Sequence, residues 1–71
     1  MDLRIRTITI ESDGETNRVF LDRGFVGAYR TIDHARFAAL LAARDINAAI
    51  KKLDFEPDEL GNFVAIVQSE E

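Results

Sequence analysis

The chain begins with the run LRIRTITI, Leu3 to Ile10, in which apolar residues alternate with arginine and threonine. Such alternation predicts a half-buried strand, and isoleucine and threonine suit a pleated surface. The alternation changes phase midway, because Leu3 and Ile5 share one parity while Ile8 and Ile10 share the other. ESDGET follows, and its Asp13-Gly14 pair is a strong hairpin signal. NRVFLDR then repeats the strand pattern. A two-residue loop at Asp13-Gly14 would pair Ile10 with Asn17, Ile8 with Val19 and Thr7 with Phe20. Ile8, Ile10, Val19 and Leu21 then share the expected core face, and Phe20 points away from it. A β-bulge near Arg6-Thr7 would return Ile5 and Leu3 to that face, since one inserted residue shifts side-chain parity by one.

DRGFVGAYRT offers two turn-permitting glycines, Gly24 and Gly27, around a short third strand carrying Phe25, Val26 and Tyr29. TIDHARFAALLAARDINAAIKKL reads as helix. Thr31 is placed to cap it, Asp33 suits its start, and Lys51 and Lys52 suit its end. Two apolar stripes run along this helix. Phe37, Leu40, Leu41 and Ala48 lie on one side; Ala35, Ala39, Ala42, Ile46, Ile50 and Leu53 lie nearly opposite. The helix therefore breaks near Arg44-Asp45, or a second subunit buries the extra face. Pro57 stops helical geometry in DFEPDEL. GNFVAIV closes as a strand whose two-sided apolar run suggests a central place in the sheet.

The expected fold is thus α+β in the order ββ(β)αβ: a small, mainly antiparallel sheet of three to four strands with one helical segment on a face. Its expected boundaries are strand 2–11, turn 12–15, strand 16–23, short strand 25–30, helix 32–53 with a break near 45 as the alternative, acidic loop 54–60, strand 61–68 and tail 69–71. Seventy-one residues make one small domain with a modest core.

Charge divides the chain unevenly. Residues 1 to 53 carry nine bases and seven acids, whereas residues 54 to 71 carry six acids and no base, for a net charge of −4. Such acidic segments either solubilise the protein or face a basic partner. The absence of cysteine removes disulfides and thiolate metal sites. The start MDLRIRT lacks the apolar stretch of a signal peptide, so a soluble, cytoplasmic protein is expected.

The residues offer little catalytic chemistry. His34 is the one histidine, in the first helical turn, and Ser12 and Ser69 lie in a turn and a tail, away from it. Asp54, Glu56 and Asp58 alternate as in a calcium loop. The glycine and glutamate that such a loop needs at its sixth and twelfth positions are here Glu59 and Ala65. No phosphate-binding glycine motif is present. No enzyme, cofactor or metal is expected.

Three binding modes are expected in order. The first is a non-enzymatic protein-binding module that engages a basic surface. Its acids are Glu11, Asp13 and Glu15 of the hairpin and Asp54, Glu56, Asp58 and Glu59 of the late loop, with Phe20 as apolar anchor. The second is a sheet-face nucleic-acid binder using Arg4, Arg6, Arg18 and Phe20, although net negative charge opposes phosphate attraction. The third is a homodimer through Ile46, Ile50 and Leu53.

In size, acidity, lack of cysteine and hairpin–helix–strand order, the chain resembles the small anti-CRISPR proteins of phages and mobile elements. The resemblance implies a compact acidic decoy that occupies a partner- or nucleic-acid-binding surface of a host nuclease complex. It rests on no motif and carries over no residue role. GAYRTIDHARFAAL also resembles the strand-into-helix passage of DNA-binding domains in which a three-stranded sheet precedes a helix.

Overall fold

A computed structural model describes residues 3–70, and side chains over 4–68. The expected strand start at residue 2, the side chain of Leu3 and the end of the tail lie outside these residues. Strands β1 (Leu3–Ser12), β2 (Asn17–Leu21) and β3 (Gly24–Tyr29) precede helix α1 (Ile32–Ile46); β4 (Glu56–Pro57) and β5 (Phe63–Glu70) follow it. All pairings are antiparallel, in the order β3-β2-β1-β5-β4. The fold is α+β as expected, but its sheet has five strands, because Glu56 and Pro57 of the acidic loop pair with Val64 and Phe63.

The first hairpin is two residues longer in its loop than the Asp13-Gly14 rule suggests. Ile10 pairs with Val19 and Ser12 with Asn17, leaving Asp13 to Thr16 as the turn. The cause is the Asp13 carboxylate. Its Oδ1 accepts the backbone N–H of Glu15 at 2.9 Å and of Thr16 at 2.8 Å, while Asp13 N donates to Thr16 O at 3.2 Å. An aspartate folded onto its own turn in this way competes with the tighter turn. The register moves by two, so the parity survives and Ile8, Ile10 and Val19 are buried on one face.

No bulge interrupts β1. Its ladder to β5 is continuous from Leu3↔Glu70 to Ile10↔Phe63, so Ile5 takes the parity of Thr7 and Thr9 and lies on the face opposite the core. The bulge falls instead in β3, where Val19 pairs with Gly27 and Phe20 with Phe25, leaving Val26 as the extra residue. Beyond Leu21 the sheet is held by Asp22, at φ 55, whose N–H donates to Thr7 O at 2.7 Å. Its carboxylate accepts Thr7 N–H at 3.0 Å and the Arg6 guanidinium. A side chain thus supplies the last rung of the β1–β2 ladder.

The helix packs its smallest residues inward. Ala35, Ala39 and Ala43 are fully buried against Ile8, Ile10, Val19 and Val67. Thr31 caps its start as expected, accepting His34 N–H on Oγ1 at 3.1 Å. It ends at Ile46, seven residues before 53 and beside the break near Arg44-Asp45 expected as the alternative, with Asn47 as the residue that ends it. Asn47 is extended at φ −156. Its Nδ2 donates to Gln68 O at 2.9 Å and its Oδ1 accepts Ala49 N–H at 3.0 Å. These bonds draw the chain out of the helix and across to β5. Arg44, not Lys51 or Lys52, then faces the helix C-terminus. Ile46, Ile50, Leu53 and Phe55 pack half-buried against the core, so the face expected to join two subunits is turned inward.

Candidate functional site

Among the described residues, α1 is the one helix and it packs on the core side, so no helix covers the other face of the sheet. Register alone defines its central row: Phe25, Phe20, Thr9, Val64 and Glu56 lie side by side across five strands. Thr7–Ile66 and Ile5–Gln68 continue it towards one end, and Glu11–Arg18–Ala28 towards the other. Ile66 is 69% exposed, Phe25 62% and Ile5 61%. Phe20 is half-buried because its ring meets Phe25 edge to face, with centroids 5.8 Å apart. Several large apolar groups therefore sit together in solvent, unlike scattered single residues. Phe20 is where its parity placed it. Phe25, Val64 and Ile66 are the residues that sequence reasoning did not assign to the site. The two-sided run GNFVAIV contained the signal, but β5 is paired on both sides only at Phe63 and Val64. Its second apolar face is open, not sandwiched.

Acidic groups border this face. Asp54, Glu56 and Asp58 line a groove of about 420 Å³ with Pro57, Val64 and Ile66. The two acidic turns come to one end of the sheet, because Ile10 pairs with both Val19 and Phe63 and each hairpin closes just beyond that row. Within the second turn, Asp58 repeats the arrangement of Asp13. Its Oδ1 accepts Leu60 N–H and Asn62 N–H, both at 2.9 Å. Asp13 and Asp58 are thus committed to holding their turns, while Glu15, Glu56 and Glu59 are exposed. Glu11 is half-buried opposite Arg18. Asp54 lies 4.0 Å from Lys52, with both side chains largely in water.

The hydrogen bonds from Thr16 and Glu15 hold the Asp13 carboxyl at a pKa of about 2, helped by the Arg18 charge. The stabilisation it gives is therefore present above the usual carboxylate range and is lost as pH falls towards 2. Thermal melts should show the protein losing stability between about pH 4 and 2. In Asp13→Ala that loss should be smaller, starting from a lower melting temperature at neutral pH. An unchanged acid profile in the variant would contradict this role. Asp22 is also lowered, by the Thr7 N–H and then by Arg6.

The four residues of the nucleic-acid reading do not form one surface. Arg4 and Arg6 take the parity of Ile8, whereas Arg18 and Phe20 lie on the open face. Arg6 pairs with Asp22, and Arg18 with Asp13 at 3.3 Å. Among the described residues, no group of three metal-ligating side chains converges, and no helix is long and apolar enough to cross a membrane. Comparison with known proteins finds no matching family model, no similar curated protein and no similar solved structure.

Proposed function

We propose that the chain is a non-enzymatic protein-binding module whose open sheet face docks on a basic, partly apolar surface. A nucleic-acid-handling complex is the proposed host of that surface, and the chain acts as its inhibitor. One observation carries the reading: the acid-lined groove of Asp54, Glu56 and Asp58 is continuous with Val64 and Ile66 of the exposed apolar face. An arginine or lysine of a partner can lay its aliphatic stem on Val64 and Ile66 and place its charged head among the carboxylates. Phe20 and Phe25 then extend the contact as aromatic anchors of the kind enriched at interfaces. Glu11, Glu15 and Glu59 lie at the rim, where charge sets the encounter rate and its salt dependence more than the final affinity. Asp13 and Asp58 add charge there while holding the turns.

The test compares capture from a nuclease-treated host lysate by the wild-type chain and by Asp54→Lys/Glu56→Lys/Glu59→Lys. Captured proteins are then purified and assayed for DNA or RNA binding with and without the chain. The expected partner binds nucleic acid, is released by salt, gives up its nucleic acid to the chain, and binds the triple variant about tenfold or more weakly, as three exposed ion pairs permit. A partner held equally by the variant at every salt concentration, or one whose nucleic-acid binding is undisturbed, would refute the proposal.

A further inference from the structure

The outward side of α1 carries a second apolar feature, bordered by bases on its groove side and by the exposed Asp33 and Asp45 one turn beyond its two ends. Phe37 is 58% exposed and Leu41 49%, one helical turn apart. The segment returning from the helix, residues 50 to 55, runs beside them. Between the two lies an open groove of about 250 Å³, lined by Phe37, Leu40, Leu53 and Phe55 and by Arg36, Lys51 and Lys52. Its floor is fixed in advance. Leu53 and Phe55 pack on the core, and the Arg36 guanidinium sits 5.9 Å from the Phe55 ring centre and 5.6 Å from that of Phe63. Three of the nine bases in a net-acidic chain border this groove. Of these three bases, only Lys52 has an ion-pair partner among the described residues, the exposed Asp54 at 4.0 Å.

We propose that this groove is a second docking site, for an acidic peptide segment of a partner protein that inserts one or two apolar side chains. The apolar floor supplies the anchor, and the ring of cations selects carboxylates beside it. Its volume falls below the roughly 300–1,000 Å³ of small-molecule pockets, which suits side-chain anchors on a peptide. Anionic membranes are bound by clusters of about four to eight bases, and this groove has fewer on a chain that is itself negative. The chain then carries one groove lined by acids and another lined by bases, and joins two surfaces of opposite sign. The basic groove shares no lining residue with the acid-lined groove, and the two adjoin at Lys52 and Asp54, 4.0 Å apart.

The test is an amide-resolved NMR titration of the whole chain. One probe is a short peptide with two leucines four residues apart, flanked by glutamates; the other has the same core flanked by lysines. The glutamate peptide should give saturable shifts centred on Phe37, Leu40, Leu53 and Phe55, weaken with salt, and bind about tenfold tighter than its lysine counterpart. Lys51→Glu/Lys52→Glu changes two exposed residues and should reverse the preference. Phe37→Ser should weaken both peptides. Lysate capture through the open face should be unchanged in Phe37→Ser, whose site lies outside the acid-lined groove, so the two proposals fail separately. The proposal is overturned by no shift at about 1 mM peptide, equal binding of both peptides, or shifts centred on Phe20, Val64 and Ile66. It is equally overturned if these residues shift on concentrating the protein alone, which marks a second copy, or if phosphatidylglycerol vesicles bind there in preference to the peptide.

Discussion

Replacing Ile10 by alanine should lower the melting temperature by about 10–30 °C, the consequence of a core truncation of about 2–5 kcal/mol in a domain of this size. Ile10 is fully buried and stands where both central ladders meet, paired with Val19 on one side and Phe63 on the other. The largest fully buried side chains are Ile8, Ile10 and Val19. The helix meets them with Ala35, Ala39 and Ala43, which have no length or rotamer freedom with which to fill a cavity. Closing the gap requires α1 to move as a body, and Asn47 and the Thr31 cap hold its two ends. A domain of 71 residues has about 4–10 kcal/mol in total, so the truncation removes a large part of it. Ile66→Ala on the open face should change stability by only about 0.5 kcal/mol. Circular-dichroism melts of the two variants test the contrast. A fall of a few degrees in Ile10→Ala, or a similar fall in Ile66→Ala, would place the core elsewhere.

The sequence made the α+β class, the burial of Ile8, Ile10 and Val19, the Thr31 cap and the outward Phe20 readable, because each rests on local parity or local capping. What it hid was tertiary. The carboxylates of Asp13 and Asp22 chose the hairpin loop and the end of β2 by bonding to backbone groups, and dipeptide rules do not register that competition. The helix ended where Asn47 found the carbonyl of Gln68, 21 residues away. The phase change between Ile5 and Ile8 was visible but was given to a bulge, on the assumption that every strand isoleucine is buried. In a five-stranded sheet with a single helix one face stays open, and apolar residues of the other parity collect there. The two-sided run of β5 reads as a sign of a central strand, and its second side, with Ile66, lies on that open face. The helix wheel did show two apolar stripes; the structure sends the alanines to the sheet and leaves Phe37 and Leu41 outside, with Leu40 half-buried. Candidate acids were legible as a set, but their division into turn-holding and outward groups needed the hydrogen bonds.

Asn17→Asp should destabilise the fold at neutral pH by at least about 2 kcal/mol, and acid should restore most of the loss. Asn17 is the buried polar residue at the point where β2, β3 and the entry to α1 meet. Its Nδ2 donates to Tyr29 O and to Arg30 O, each at 3.3 Å, and so satisfies two carbonyls just before the cap residue. Two acceptors fix the amide orientation, since a carbonyl oxygen in that place would oppose both. An ionised carboxylate has the same shape but turns an acceptor and a charge towards the same oxygens. Burial and these carbonyls raise its folded pKa above that of the unfolded chain. The variant's stability is therefore fully present below about pH 4 and is lost as pH rises through the raised value, opposite in sign to Asp13. Below that pH the protonated acid can still donate to one carbonyl. Asn17→Leu removes both donors without adding charge and should be destabilised equally at pH 4 and pH 7. Melting temperatures of the two variants at these pH values decide the matter: parallel losses in both would mean that the amide does not face the Tyr29 and Arg30 carbonyls.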